Sequence, residues 1–273
     1  MLVNNGIEDN WLAAATAIMT TDTVAKGVSE TLDLDGHIIT VTGIAKGSGM
    51  ICPNMATLLS YVATDASVDK VTLQAMLDCA TEASFNRITV DSDTSTNDAL
   101  MLMATGEGGN SEISSLADPR AEQLYSAIEK VLIRLATAVI RDAEGASKFV
   151  KIEIVNSISV ADAKSIAYSV AHSPLVKTAL FASDPNWGRL LMAVGKADVD
   201  TLDISAMNLS INGVALIEHG EPAVTYTEAA GKEVFQQSEI EIRIDLNAGD
   251  QSFHVWTSDL SHDYVSINAD YRS

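Results

Sequence analysis

Residues 118–141 constrain the fold more than any other part of the chain. They open with Asp118-Pro119, a side-chain cap followed by proline at the first helical position, where its missing N–H costs nothing and its fixed φ is already helical. Leu124, Ile128, Val131, Leu135 and Val139 then recur every three or four residues, which places all five on one face of a long helix, and Gly145 lies just beyond its end. Such a stripe has to face a core.

Two other stretches carry weaker helical signatures. Ser67 precedes a run in which Val71, Leu73, Leu77 and Ala80 fit the spacing less strictly, and Ser159 with Asp162 three residues on resembles a capping box ahead of Ile166 and Val170. Strands alternate with the helices. Residues 148–155, KFVKIEIV, read as one. Ile240, Ile242, Ile244 and Leu246 alternate strictly before the turn Asn247-Ala-Gly-Asp250 and a second run at 253–256, which predicts a hairpin. Asn212-Gly213, between short runs at 207–211 and 214–217, predicts another. The final third is therefore strand-rich, and the fold class is α+β, with mixed helices and sheets and neither an internal repeat nor a low-complexity linker.

With 47% apolar residues in 273, the chain can bury one large core or two modest ones. Its 37 acidic against 17 basic residues give a formal charge of -20, spread along the sequence, which repels phosphate backbones and anionic membrane surfaces, so nucleic acid is not an expected partner. The first ten residues have no basic and apolar leader pattern, and no apolar run reaches the roughly eighteen residues that span a bilayer. Cys52 and Cys79 lack C-x-x-C spacing. A cytoplasmic location is the simplest expectation.

Metal and phosphate chemistry find little support. His37, His172, His219, His254 and His262 are scattered without HExxH spacing, and Asp91-Ser-Asp-Thr-Ser-Thr-Asn-Asp98 lacks the glycine and terminal glutamate of a calcium loop, so it reads better as a hydroxyl-rich loop capping a helix. Gly43, Gly47 and Gly49 surround Lys46, but a Walker loop needs its lysine after the last glycine. Asp259, Ser261, His262 and Asp263 hold triad residue types, yet neighbours in sequence do not converge on one atom, which favours a plain loop.

Thr57, in GIAKGSGMICPNMATLLSYVATD, has a different potential. On residue type alone, a buried threonine at a strand start is the plainer reading. An internal threonine keeps its proton and has no adjacent base, but a cut directly before it would free its own α-amino group, with a pKa of about 7.7–8.0, to act as general base. Small residues around Ala56 would let the hydroxyl reach the Ala56 carbonyl, form an ester and release it by hydrolysis.

Five stretches in order, AIMTTDT (17–23), AKGSGMICPNMATLLSYVATDA (45–66), SFNRITVDSDTSTNDA (84–99), DPNWGR (184–189) and the ending INADYRS, resemble the ornithine acetyltransferase family, the glutamate N-acetyltransferases of arginine biosynthesis. The resemblance runs from about Trp11 to Ser273. It implies a self-cleaving, threonine-nucleophile acetyltransferase fold cut at Ala56–Thr57, with residues 1–56 the remnant of an alpha chain and 57–273 the beta chain. Thr57 would take an acetyl group from N-acetylornithine and pass it to glutamate. Lys46, Thr57, Glu144, Asn268 and Ser273 correspond to substrate-binding positions, Lys46 meeting a carboxylate and Glu144 an ammonium; Ser273 stands where the family usually has threonine. No metal or cofactor is implied, although acetyl-CoA is a possible second acetyl donor.

The family also carries a longer segment ahead of its AIMTTDT motif, with a threonine–glycine pair that forms the oxyanion hole. Here Thr42-Gly43 falls in the strand leading to Lys46, so the expectation is an N-terminally truncated chain that needs a separate upstream segment as partner, the whole assembling as two alpha and two beta chains. A threonine amidohydrolase or aminopeptidase using the same self-cleaving logic, and an inactive fragment, are the competing expectations.

Overall fold

A four-stranded sheet carries the first of two units into which the chain divides between Ala143 and Glu144. The computed structural model describes residues 7–52, 58–95 and 97–270. In the first unit α1 (Ile7–Ala17), β1 (Lys26–Leu34), β2 (His37–Lys46), β3 (Leu59–Thr64), α2 (Lys70–Ala83), β4 (Ala99–Ala104) and α3 (Pro119–Arg141) follow in order. The strands lie in the sheet in that same order; β1, β2 and β3 are antiparallel neighbours, while β4 joins β3 in parallel after the crossover through α2 that a parallel pair requires.

The long helix forms as expected. Asp118 caps it by accepting a hydrogen bond from Arg120 N at 2.9 Å, and Leu124, Ile128, Val131, Leu135 and Val139 are all fully buried as α3 lies across β1 and β2. The predicted face of α2 is corrected. Its cap is Asp69, not Ser67, with the carboxylate accepting from Val71 N and Thr72 N. The helix is therefore set so that Thr72, Met76 and Ala80 point inward, and Val71 is 78% exposed. The acidic loop 91–98 is corrected too: it leads into strand β4, and it caps no helix among the described residues. Neither Cys52 nor Cys79 forms a disulfide among the described residues.

In the second unit β5 (Phe149–Ser157), α4 (Val160–Ala171), α5 (Pro174–Phe181), α6 (Trp187–Gly195), β6 (Asn208–Ile211), β7 (Val214–Glu218), β8 (Glu221–Pro222), α7 (Glu228–Phe235), β9 (Glu239–Asp245), β10 (Gln251–Ser258) and α8 (His262–Asp270) build a mixed sheet in the order β10-β5-β9-β6-β7-β8. Ser159 caps α4 through Asp162 N as predicted, and α4 packs on β5 and β10. Ile152, Ile154, Ile240, Ile242, Ile244 and Val255 meet Ile166 and Val170 in one core, while the alternate residues Lys151, Glu153, Glu241 and Arg243 form a ladder of ion pairs. The Asn212-Gly213 hairpin is present, both residues at positive φ.

The other predicted hairpin is not. β9 and β10 do not pair, because β5 lies between them, parallel to β9 and antiparallel to β10. The turn after β9 instead passes over the end of β5, with Leu246 N, Ala248 N and Gly249 N donating to Val155 O and Asn156 O. Gly249 is required there, since a Cβ would collide with the Ser157 carbonyl and come within 2.9 Å of Ile158 Cα.

Candidate active site

β2 ends at Lys46, and the register Lys46↔Leu59↔Ala99 aligns the ends of three neighbouring strands. Lys46 is 9% exposed. The loop leaving it is tied down by sequence far away on both sides. Asp22 accepts from Gly47 N at 2.8 Å, Thr21 and Ser48 share a hydroxyl hydrogen bond of 2.6 Å, and Asp91 accepts from Met50 N and Ile51 N at 2.7 and 3.0 Å. On the far side, Leu58 N donates to Asp98 and Ala99 N donates to Leu58 O at 2.9 Å. Three of the motifs singled out above, those at 17–23, 45–66 and 84–99, thus converge on the two flanks of residues 53–57. Ala56 and Thr57 themselves lie outside the described residues.

Beneath this loop sits a buried ion cluster that the sequence did not announce. Lys26 Nζ donates to Asp22 and to Asp142, each at 2.6 Å, with all three side chains nearly inaccessible. Asp142 follows α3 and also takes the Thr23 amide and hydroxyl. Burial by itself would push the Asp22 carboxyl up, but the Gly47 amide and the Lys26 ammonium outweigh it and hold the group below the usual carboxylate value. Asp98 goes the other way: burial pushes it up to about 6, against the pull of the Leu58 amide and the Lys46 charge.

In the second unit the structure joins two predicted positions. Asn268 Nδ2, on α8, donates to Glu144 at 2.6 Å and to Tyr264 O at 3.0 Å, which fixes the carboxylate against the last helix. Ser273 lies outside the described residues. Lys46 belongs to the first unit. Gly145 has φ of 65°, and a Cβ on it would come within 2.6 Å of both Ser261 Oγ and Tyr264 N. Gly145→Ala is therefore expected to lower stability by about 2–4 kcal/mol, as left-handed strain and overpacking add, and to push α8, with Asn268, off Glu144. Denaturant unfolding checks this; an unchanged midpoint would show that α8 yields freely.

DPNWGR has a structural role. Asn186 caps α6 through Arg189 N, and Arg189 Nη1 donates to Leu175 O at 2.8 Å. Asp259, read as part of a plain loop, accepts from Ser147 N and Lys148 N at 2.9 Å. Thr42 and Gly43 sit in mid-strand in β2, Thr42 bonded to Ser29 and Gly43 against Leu135 and Val62, so they are no free donor pair. Among the described residues no group of three His, Cys, Asp or Glu is placed to hold a metal ion, and no helix is long and apolar enough to cross a membrane.

Fold and site together define an α+β protein in which distant loops converge on a segment carrying a threonine. The ArgJ family description matches residues 2–273, and the chain belongs to that family. It is 53% identical over 266 residues to the arginine biosynthesis bifunctional protein ArgJ of Pseudomonas fluorescens, covering 97% of this chain and 66% of that protein. To the protein of that name from Neisseria gonorrhoeae it is 51% identical over 264 residues, covering 96% and 65%. The crystal structure of arginine biosynthesis bifunctional protein ArgJ from Bacillus halodurans superimposes with a TM-score of 0.73 at 33% identity, over 77% of this chain and 98% of that one. The chain spans 65–66% of the length of these two curated relatives.

Proposed function

We propose that the chain transfers an acetyl group from N-acetylornithine to glutamate, through an ester on Thr57 formed after cleavage of Ala56–Thr57. The observation that carries this reading is the convergence of Asp22, Asp91 and Asp98 on the backbone that flanks residues 53–57 on both sides, through Gly47, Met50 and Leu58. The pairing of β2 with β3 also supports it, because one ladder spans the cut and would hold the two pieces together.

The chemistry is an exchange of one amide for another. The freed α-amine of Thr57 takes the hydroxyl proton as Oγ1 attacks the acetyl carbonyl, the proton passes to the departing ornithine nitrogen, and the same steps run in reverse with glutamate as acceptor. Lys46 receives a substrate carboxylate. Glu144, held by Asn268, receives the ammonium of the ornithine side chain. No cofactor enters these steps, and acetyl-CoA is a possible second donor.

The test is turnover of N-acetylornithine with and without glutamate, by the chain alone and with the portion of a curated relative that it does not cover supplied in trans. Acetylglutamate forming faster than free acetate is the expected result. Acetate released equally with and without glutamate would replace transfer by amide hydrolysis, and no turnover in any mixture would end both.

A further inference from the structure

One buried carboxylate oxygen near the end of β2 lacks the partner that buried polar atoms normally have, and a lysine charge acts on it. Asp98 spends one oxygen on Leu58 N, but its Oδ2 is buried and has no hydrogen-bond partner among the described residues. Lys46, a residue 9% exposed, acts on the Asp98 carboxyl through its charge. The strand register places the two at the same end of the sheet, where Ala99 N already donates to Leu58 O. A buried unsatisfied atom in a folded protein calls for an explanation, and a ligand is one.

We propose that Lys46 and Asp98 together read the α-carbon of an amino-acid substrate, Lys46 taking its α-carboxylate and the open Asp98 oxygen accepting the N–H of its α-nitrogen. This rests on the acyl-transfer reading above and deepens it. An N-acetyl amino acid keeps one N–H on that nitrogen and a free amino acid keeps more, so one pair of residues recognises both the donor and the acceptor. With its titration at about 6, Asp98 is an anion, and hence purely an acceptor, at the slightly alkaline pH that the Thr57 amine requires. The charged group acting on it is Lys46, at the end of β2 across the intervening β3, whose residue in that register is Leu59.

The test is calorimetric binding to the full chain carrying Thr57→Ala, which cannot consume its ligand, using N-acetylornithine and its analogue methylated on the α-nitrogen. A hydrogen bond to a charged acceptor predicts about 10-fold or greater preference for the N–H ligand. Adding Asp98→Asn keeps an oxygen for Leu58 N but offers an NH₂ group to the ligand, so the preference should collapse to near unity. If steric bulk alone causes the preference, it persists in Asp98→Asn and the proposal fails. If that variant does not fold, the ratio on the parent chain decides: equal binding of the two ligands overturns the proposal, as does no binding of either. N–H-dependent binding without transfer to glutamate would sink the acyl-transfer reading and leave this one standing, and transfer without any N–H preference would do the reverse.

Discussion

Replacing Thr57 by alanine is expected to leave the chain in one piece of 273 residues instead of pieces of 56 and 217, and to lower acetyl transfer by about 10⁴-fold or more. Both effects have one cause. In the proposed reaction one hydroxyl both attacks the Ala56 carbonyl in cleavage and later carries the acetyl group, and alanine has none. The loss should not come from unfolding, because the clamps on either side, Asp91 to Met50 and Ile51 and Asp98 to Leu58, use backbone N–H groups that the substitution leaves in place. Thr57→Ser should keep slow function, since it retains the oxygen but loses the methyl that restricts the rotamer. With a freed α-amine as the proposed base, transfer by the unaltered protein should fall as pH drops below the usual α-amine range of about 7.7–8.0. Intact mass and a coupled assay at several pH values check all of this, and normal cleavage by the alanine variant would remove Thr57 from the chemistry.

The local features were legible in the sequence and the distant pairings were not. The stripe on α3 and the cap at Asp118 could be read because a helix reports its buried face through neighbours three and four residues away. The alternation of β9 was equally plain, but alternation tells which face is buried and not which strand lies alongside. β5, from far earlier in the chain, takes the place that the turn after β9 suggested for β10. At α2 an apolar Val71 argued for burial, and a capping aspartate two residues before it settled the phase differently. The site shows the same division. Lys46, Glu144 and Asn268 came from resemblance, and the contact between the last two spans 124 positions. Asp91 and Asp98 looked like a polar loop; that their carboxylates hold backbone amides about forty residues upstream leaves no periodic trace.

Lys26 is the extreme case of that division, and it leads to the largest stability effect expected outside the backbone. An isolated lysine in a strand reads as a solvated charge, yet its ammonium is enclosed between Asp22 and Asp142. Asp22→Ala leaves that cation half-paired and the Gly47 amide without its acceptor, which should cost about 3 kcal/mol, the lower end for breaking a buried pair because Asp142 remains. The loss should depend on pH with a definite sign. The folded-state pKa of Asp22 lies below its unfolded value of about 3.8, so the unfolded chain binds the proton more readily. The contribution of Asp22 is therefore fully present above about pH 5 and is lost as pH falls through the folded pKa. The gap in stability between the unaltered protein and Asp22→Ala should accordingly be widest near neutrality and shrink on acidification, as urea unfolding across that range would report. A gap that stayed constant or widened toward acid would mean that the charge of Asp22 contributes nothing beyond its shape. Since Gly47 directly follows Lys46, the same variant should also use substrate less well at neutral pH, which ties the buried ion cluster to the loop it underlies.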